Sequence, residues 1–225
     1  MSRHVRHDPE KETPTSVGVS DLIHVATLDV ADEDTFLSWY HTEHIPEVLS
    51  RPGWQGARSY ECINGEPRLL TVYDLVDEAA QREHRLSAAP FRTSSGELRG
   101  IRDYQGRTFR LIHAAGTSAQ PPTVINVITV DVEPEHADAF SRWYNEVHFP
   151  EILACPGWIA GRRYECIDGA PRFLAIYDLQ DEHLPFSTPE YRSAAGWDDN
   201  ASHLLGYHGW RVYRLIYESY ESSST

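Results

Sequence analysis

The 225-residue chain is short of basic residues: 20 Lys and Arg stand against 34 Asp and Glu, a formal charge of −14. That imbalance argues against nucleic acid and anionic membrane as partners. No apolar run approaches the ~20 residues of a membrane-spanning helix. The opening stretch MSRHVRHDPEKETPTSVG lacks the apolar core of a secretory signal. Cysteine is scarce, with only Cys62, Cys155 and Cys166, and no CxxC spacing exists. An odd, scattered set excludes a disulfide framework and fits small buried side chains in a reducing cytoplasm. There is no GxGxxG after a strand, no P-loop and no GxSxG elbow, so neither a nucleotide cofactor nor an α/β-hydrolase nucleophile is signalled. A protein that handles a small molecule or another protein remains.

What is present is a repeat. FLSWYHTEHIPEVLSRPGWQGARSYECINGEPRLLTVYDLVDE, from Phe36, aligns without a gap to FSRWYNEVHFPEILACPGWIAGRRYECIDGAPRFLAIYDLQDE, from Phe140, with roughly half the positions identical. LIHVATLDV aligns with VINVITVDV upstream, and RTFRLIH with RVYRLIY downstream. Two copies of about 100 residues are too few and too long for a solenoid. The expected division is a disordered tail at 1–19, one unit at 20–115, a linker at 116–123 and a second unit at 124–220, with a disordered SSST end.

Each unit reads as strand, helix, strand, strand, irregular helix, strand. Leu22–Val30 and Val124–Val132 are rich in β-branched residues. A polar turn and a helix follow, ended by Arg-Pro-Gly-Trp or Cys-Pro-Gly-Trp. Strands are expected at 55–63 and 68–75 around a tight Asn64-Gly65 turn (Asp168-Gly169 in the second copy), with a last strand at 109–113. This βαββαβ order is ferredoxin-like, so the fold class is α+β. A sheet with helices on one face needs cover on the other, which the second copy can supply.

WYHTEHIPE…PGW and WYNEVHFPE…PGW resemble the EthD-like branch of the dimeric α/β-barrel (ferredoxin-like) superfamily, over nearly everything from Leu22 to about Tyr217. The resemblance implies that the two units close their sheets into one intramolecular barrel, a covalent pseudo-dimer; further homodimerisation is left open. The superfamily includes cofactor-free monooxygenases, polyketide cyclases, lactone isomerases and haem enzymes, so fold alone does not give function.

The candidate chemistry starts on the first helix of each unit. At ~100° per residue, Phe36, Trp39, Tyr40, Glu43, His44 and Glu47 share one arc of about 140°. His44 and His148 occupy equivalent positions, either as general bases near neutral pH or as packing residues. His44-x-x-Glu47 and His148-x-x-Glu151 have a metal-compatible spacing, but two ligands are too few, and no metal is expected. Glu43 is matched by Val147, His24 by Asn126, Thr71 by Ala175 and His113 by Tyr217. Ionisable groups at inward positions thus concentrate in the first copy, where the working pocket is expected. A buried Glu43 would have a raised pKa suited to acid/base work. Arg58 and Tyr60, two apart on one strand face, would stabilise oxyanion charge, or Arg58 would pair with Asp74. His24, Trp39, Tyr40, Thr71, Tyr73, Trp143 and Tyr144 would bind substrate, the aromatics forming walls for a flat ligand.

The expected function is a cofactor-independent acid/base enzyme acting on a small, partly apolar carbonyl or phenolic compound, as an isomerase, cyclase, lyase or cofactor-free monooxygenase. His44, Glu43, Tyr60, Arg58 and His148 would carry the catalysis. The alternatives are a non-catalytic barrel that binds a small molecule or haem, through an axial histidine, or a structural protein whose barrel is filled by side chains.

Overall fold

The computed structural model describes residues 20–86, 100–118, 122–194 and 205–220. The expected tail at 1–19 and the SSST end lie outside these residues, as does part of the linker.

In the first half, β1 (Leu22–Val30) leads into α1 (Glu33–Trp39), whose first turn is capped by the Asp32 carboxylate accepting from the Thr35 N–H at 3.2 Å. A five-residue π-helical turn, Tyr40–His44, joins α1 to α2 (Ile45–Leu49). β2 (Trp54–Cys62), β3 (Leu69–Leu75), α3 (Glu78–Leu86) and β4 (Ile101–Gly116) follow. The second half repeats the order with β5 (Val124–Val132), α4 (Ala137–Trp143), a π turn at Tyr144–His148, α5 (Phe149–Leu153), β6 (Trp158–Cys166), β7 (Phe173–Leu179), α6 (Leu184–Ser187), α7 (Pro189–Ala194) and β8 (Leu205–Tyr220).

All eight strands close into one antiparallel barrel in the order β1-β3-β2-β8-β5-β7-β6-β4. β4 and β8 make the closure possible. The first part of β4 pairs with β1, from Leu22↔Arg110 to Val30↔Ile101, and its end crosses to β6, from Phe109↔Cys166 to Gly116↔Ala160. β8 does the reverse, pairing with β5 and then with β2. The last strand expected at 109–113 is part of a 16-residue strand. IRDYQGRT carries five polar side chains and a glycine, which hides a strand whose pairing comes from β1.

Side chains alternate between two environments. Ile23, Val25, Leu70, Val72 and Phe109 point into the barrel with Ile125, Val127, Leu174, Ile176 and Tyr213. The opposite face packs against helices: Leu28, Val30, Leu69 and Tyr73 meet Phe36, Tyr40 and Ile45. Val130, Phe173 and Tyr177 meet Phe140, Tyr144 and Phe149. β3 and β7 are therefore buried along their whole length.

The tight hairpin turns expected at Asn64-Gly65 and Asp168-Gly169 are longer loops, each containing a cis X-Pro bond (Glu66–Pro67, Ala170–Pro171). Their Asx side chains reach the opposite half. Asn64 Oδ1 accepts from the Val212 N–H (2.9 Å), and Asp168 Oδ1 from the Thr108 N–H (2.9 Å).

Candidate functional site between sheet and helix

The residues singled out in the sequence fall into three places. Arg58 and Tyr60 point into the barrel. Arg58 donates to Asp74 at 2.6 Å, Arg162 to Asp178, and Tyr60 and Tyr164 lie among these pairs. Burial is the largest influence and opposes the Arg58 charge, but the Asp74 carboxylate together with the Tyr60, Tyr220 and Tyr164 phenols raises the guanidinium's pKa overall. Both halves carry the same arrangement, on the face of the sheet away from the helices. Arg58 and Tyr60 are therefore not brought together with His44.

The second place is the space between the first sheet and α1–α2. His44 is 2% exposed, stacked on Trp39 (5.2 Å, 29°) and Tyr40 (5.0 Å, 26°). His148, in the third place, likewise stacks on Trp143 (5.1 Å, 19°) but meets Tyr144 edge-on (4.9 Å, 75°). Glu43 does not face inward; it is exposed, as Val147 is in the other half. The cause is the π turn. Pro46 has no N–H and its ring presses on the carbonyl four residues back. The ladder widens to Ile45 N–H→Tyr40 C=O, which rotates Glu43 outward and His44 inward. Glu47 is also exposed and pairs with Arg51 at 2.9 Å.

His24, on the helix face of β1, is 6% exposed. Its Nδ1 meets Thr108 Oγ1 at 3.0 Å, and its ring lies 5.8 Å from Trp54 and 6.4 Å from Tyr73. The Tyr40 and Tyr73 hydroxyls share a 2.8 Å hydrogen bond, and Thr71, which also bonds Tyr40, donates to Ser59 Oγ at 3.3 Å. Burial pushes both phenols up. Tyr104 closes the group. A Cβ on Gly106 would run into the Tyr104 hydroxyl and stand 3.1 Å from His24 Nε2, so both polar atoms crowd the space that glycine leaves open. Burial, with Tyr40 nearby, pushes the Tyr104 phenol up to about 12, so it is a hydrogen-bond donor at neutral pH. The second half completes this site: Asp168, which accepts from the Thr108 N–H, also accepts from Gln81 Nε2 at 3.1 Å.

The matching positions in the second half carry larger side chains. Arg163 stands where Ser59 does, 1% exposed, 4.2 Å over the Tyr144 ring and bonded to Asn145 Oδ1 at 2.5 Å. Burial lowers its pKa. Trp210 replaces Gly106 and packs on Phe186 at 5.3 Å. Asn126, Val212 and Asn64 replace His24, Thr108 and Asp168, and Asn126 donates to the Arg211 carbonyl at 2.9 Å. Tyr144 and Tyr177 keep the phenol pair at 3.1 Å.

Sequence reasoning missed Ser59, Tyr104, Gly106, Thr108 and Asp168. Each differs from its counterpart in the second copy, so extending the copy-to-copy comparison along every strand would have found them. It also placed His113 in the first half. β4 crosses over, so His113 instead meets Phe149 (5.0 Å) in the second half, while Tyr217 stacks on His41 (4.3 Å, 5°) in the first. Among the described residues, no group of three or more His, Cys, Asp or Glu is placed to hold a metal ion. Nor is any helix among them long and apolar enough to cross a membrane.

No family model matches the sequence, and no curated protein matches it. Solved structures do. An anthrone oxidase-like protein aligns over 92% of this chain and 95% of its own, with a TM-score of 0.66 and 11% identity. A putative monooxygenase from Lactobacillus acidophilus aligns over 88% and 95% (TM-score 0.56, 13% identity). A putative chlorite dismutase aligns over 87% and 94% (TM-score 0.54, 14% identity). The chain therefore shares the dimeric α+β-barrel, ferredoxin-like fold of these proteins.

Proposed function

We propose that the space between β1 and α1–α2 is the active site of a cofactor-independent acid/base enzyme, acting on a small, flat phenol or enolisable ketone. The observation that carries this reading is the difference in filling. Gly106 lets the Tyr104 hydroxyl approach His24, and Ser59 is small, whereas Trp210 and Arg163 stand at the matching positions in the second half. The chain is on this reading a tandem duplication of an EthD-like unit, a pseudo-dimer in which one copy keeps the chemistry and the other supports it.

His24 is the base. The Thr108 hydroxyl orients its ring, and Asp168 fixes the Thr108 backbone. His24 takes a proton from the substrate, and Tyr104, protonated at neutral pH, donates to the oxygen on which charge develops. Trp54 and Tyr73 form the wall for the ring. The enolate or phenolate can then isomerise, cyclise, eliminate or react with oxygen. The first of these neighbours is named for oxidation of an anthrone, a compound of this chemical type. Haem has no part in this reading: His44 and His148 stack on indoles, and His24 is buried among Trp54, Tyr73 and Thr108. The test is deuterium exchange into a panel of anthrones and other enolisable aryl ketones. The wild type should accelerate exchange, and His24→Ala should lose ~100-fold or more. Equal rates for wild type, His24→Ala and buffer would refute the assignment.

A further inference from the structure

One mouth of the barrel holds a cavity of about 440 Å³, on the opposite face of the sheet from His24. Its floor is apolar and comes from both halves: Val25, Leu70 and Phe109 with Val127, Leu174 and Tyr213. Two guanidiniums at matching positions line it, Arg107 and Arg211. Arg107 donates from Nε to the Ala170 carbonyl (3.1 Å) and from Nη1 to the Gly106 carbonyl (2.7 Å). Arg211 donates from Nε to the Glu66 carbonyl (2.5 Å) and from Nη1 to the Trp210 carbonyl (2.7 Å).

Each cation is thus clamped onto the hairpin loop of the opposite half by neutral groups, using two of the five donors an arginine has. The clamp depends on glycine. A Cβ on Gly169 would stand 2.8 Å from Arg107 Nε, and one on Gly65 would stand 3.0 Å from Arg211 Nε. Neither arginine pairs with a carboxylate among the described residues. Of the acidic groups at this mouth, Asp29 Oδ1 accepts the Arg68 N–H at 2.7 Å, while Glu66 and Asp103 stand exposed at the rim. The matching positions in the second half are Ala170 and Tyr207. The lining holds two cations against three carboxylates; the two half-buried guanidiniums, over an apolar floor and with Glu66 and Asp103 exposed at the rim, offer two separate anion contacts.

We propose that this mouth binds a small dicarboxylate, one carboxylate on each arginine, with its hydrocarbon middle on the apolar floor. This second site is separate from the His24 site. The experiment is calorimetric titration of the full chain with phthalate and glutarate, with benzoate and inorganic phosphate as controls. Dicarboxylate should bind at one per chain, at least tenfold tighter than either control. Arg107→Gln and Arg211→Gln should each weaken binding tenfold or more, and the double variant should abolish it. Glu66→Gln, which keeps both clamps, should tighten binding severalfold by removing a like charge at the rim. His24→Ala should leave binding unchanged. The proposal is overturned if the wild type shows no dicarboxylate binding up to about 10 mM, or if benzoate binds equally well. It is also overturned if the arginine variants bind normally, or if His24→Ala abolishes binding. Should melting curves show the arginine variants unfolded, Glu66→Gln decides: unchanged or weaker affinity overturns the proposal.

Discussion

The spaces under the two helix layers share a backbone plan and differ in what fills it. Both keep the π turn, the buried histidine on an indole and the pair of phenols. Around that frame the first half carries Ser59, Gly106, Thr108 and His24, small or polar, and the second carries Arg163, Trp210, Val212 and Asn126. A buried cation stacked on Tyr144 is an expensive way to fill a core. It is tolerated because aromatic faces and two oxygens surround it: Arg163 lies near Phe140, Phe173 and Tyr144, and donates to Ser141 and Asn145. What the halves share is the frame, and what separates them is the ground on which the proposed site is placed in the first half.

The largest expected effect is on turnover. His24→Ala should lower it by 10² to 10⁴-fold, the usual range for a general base, while Asn126→Ala leaves it near wild type. His44→Ala and His148→Ala should instead cost similar stability, measured by denaturant unfolding, because both are buried and stacked on an indole. Equal loss of turnover from His24→Ala and Asn126→Ala would break the comparison.

Next come exchanges of filling. Trp210→Gly should destabilise the fold by about 3 kcal/mol, the scale of large-to-small core changes, with turnover retained. Gly106→Trp, which gives the first half the residue of the second, should abolish substrate binding, since even a Cβ there meets the Tyr104 hydroxyl and His24. Comparing the two variants by melting and by turnover separates support from site. Gly106→Trp with full activity would end the claim that this glycine opens the site.

A smaller effect is expected across the seam. Asp168→Asn should slow turnover by about tenfold, less than the ~100-fold that a 1 Å misplacement can cause, by loosening Thr108 and with it the His24 ring. Asn64→Asp, its counterpart, should leave turnover unchanged. A pH profile of turnover for both variants distinguishes loosened positioning, which changes the profile only for Asp168→Asn, from a general loss of stability.

The smallest effect is on pH and stability. Burial lowers the pKa of His41, and burial with Arg163 lowers that of His113. The folded chain resists protonation that the unfolded chain accepts below about pH 6.5. Stability should therefore be full above that pH and fall as the solution is acidified through it. His41→Asn, which installs the residue that the second half has at Asn145, should flatten part of that decline in denaturant midpoints measured from pH 7 to pH 5. An unchanged slope would show that His41 contributes nothing to it.

The sequence made the repeat, the element order and both first strands legible, because β-branched runs and Pro-Gly-Trp breaks are local signals. Two of the copy-to-copy differences read from the sequence, His24 against Asn126 and Thr71 against Ala175, do fall at buried positions. Glu43 was misread because an ideal 100° step ignores what Pro46 does to the ladder. The extent of β4 was hidden because its partner lies some eighty residues away. The placements of His113 and Asp168 depend on strands and loops crossing between halves, and such long-range geometry leaves no trace in local periodicity.

That crossing has a thermal consequence. Two of the barrel's eight seams, β2 with β8 and β4 with β6, join one half to the other. β4 and β8 each belong to a seam within a half and a seam between halves, so neither half can shed its last strand without breaking ladder bonds that the other relies on. The chain should therefore melt in one calorimetric transition, with the slowest-exchanging amides of β4 and β8 sharing a single opening free energy, as in one cooperative unit rather than two linked domains.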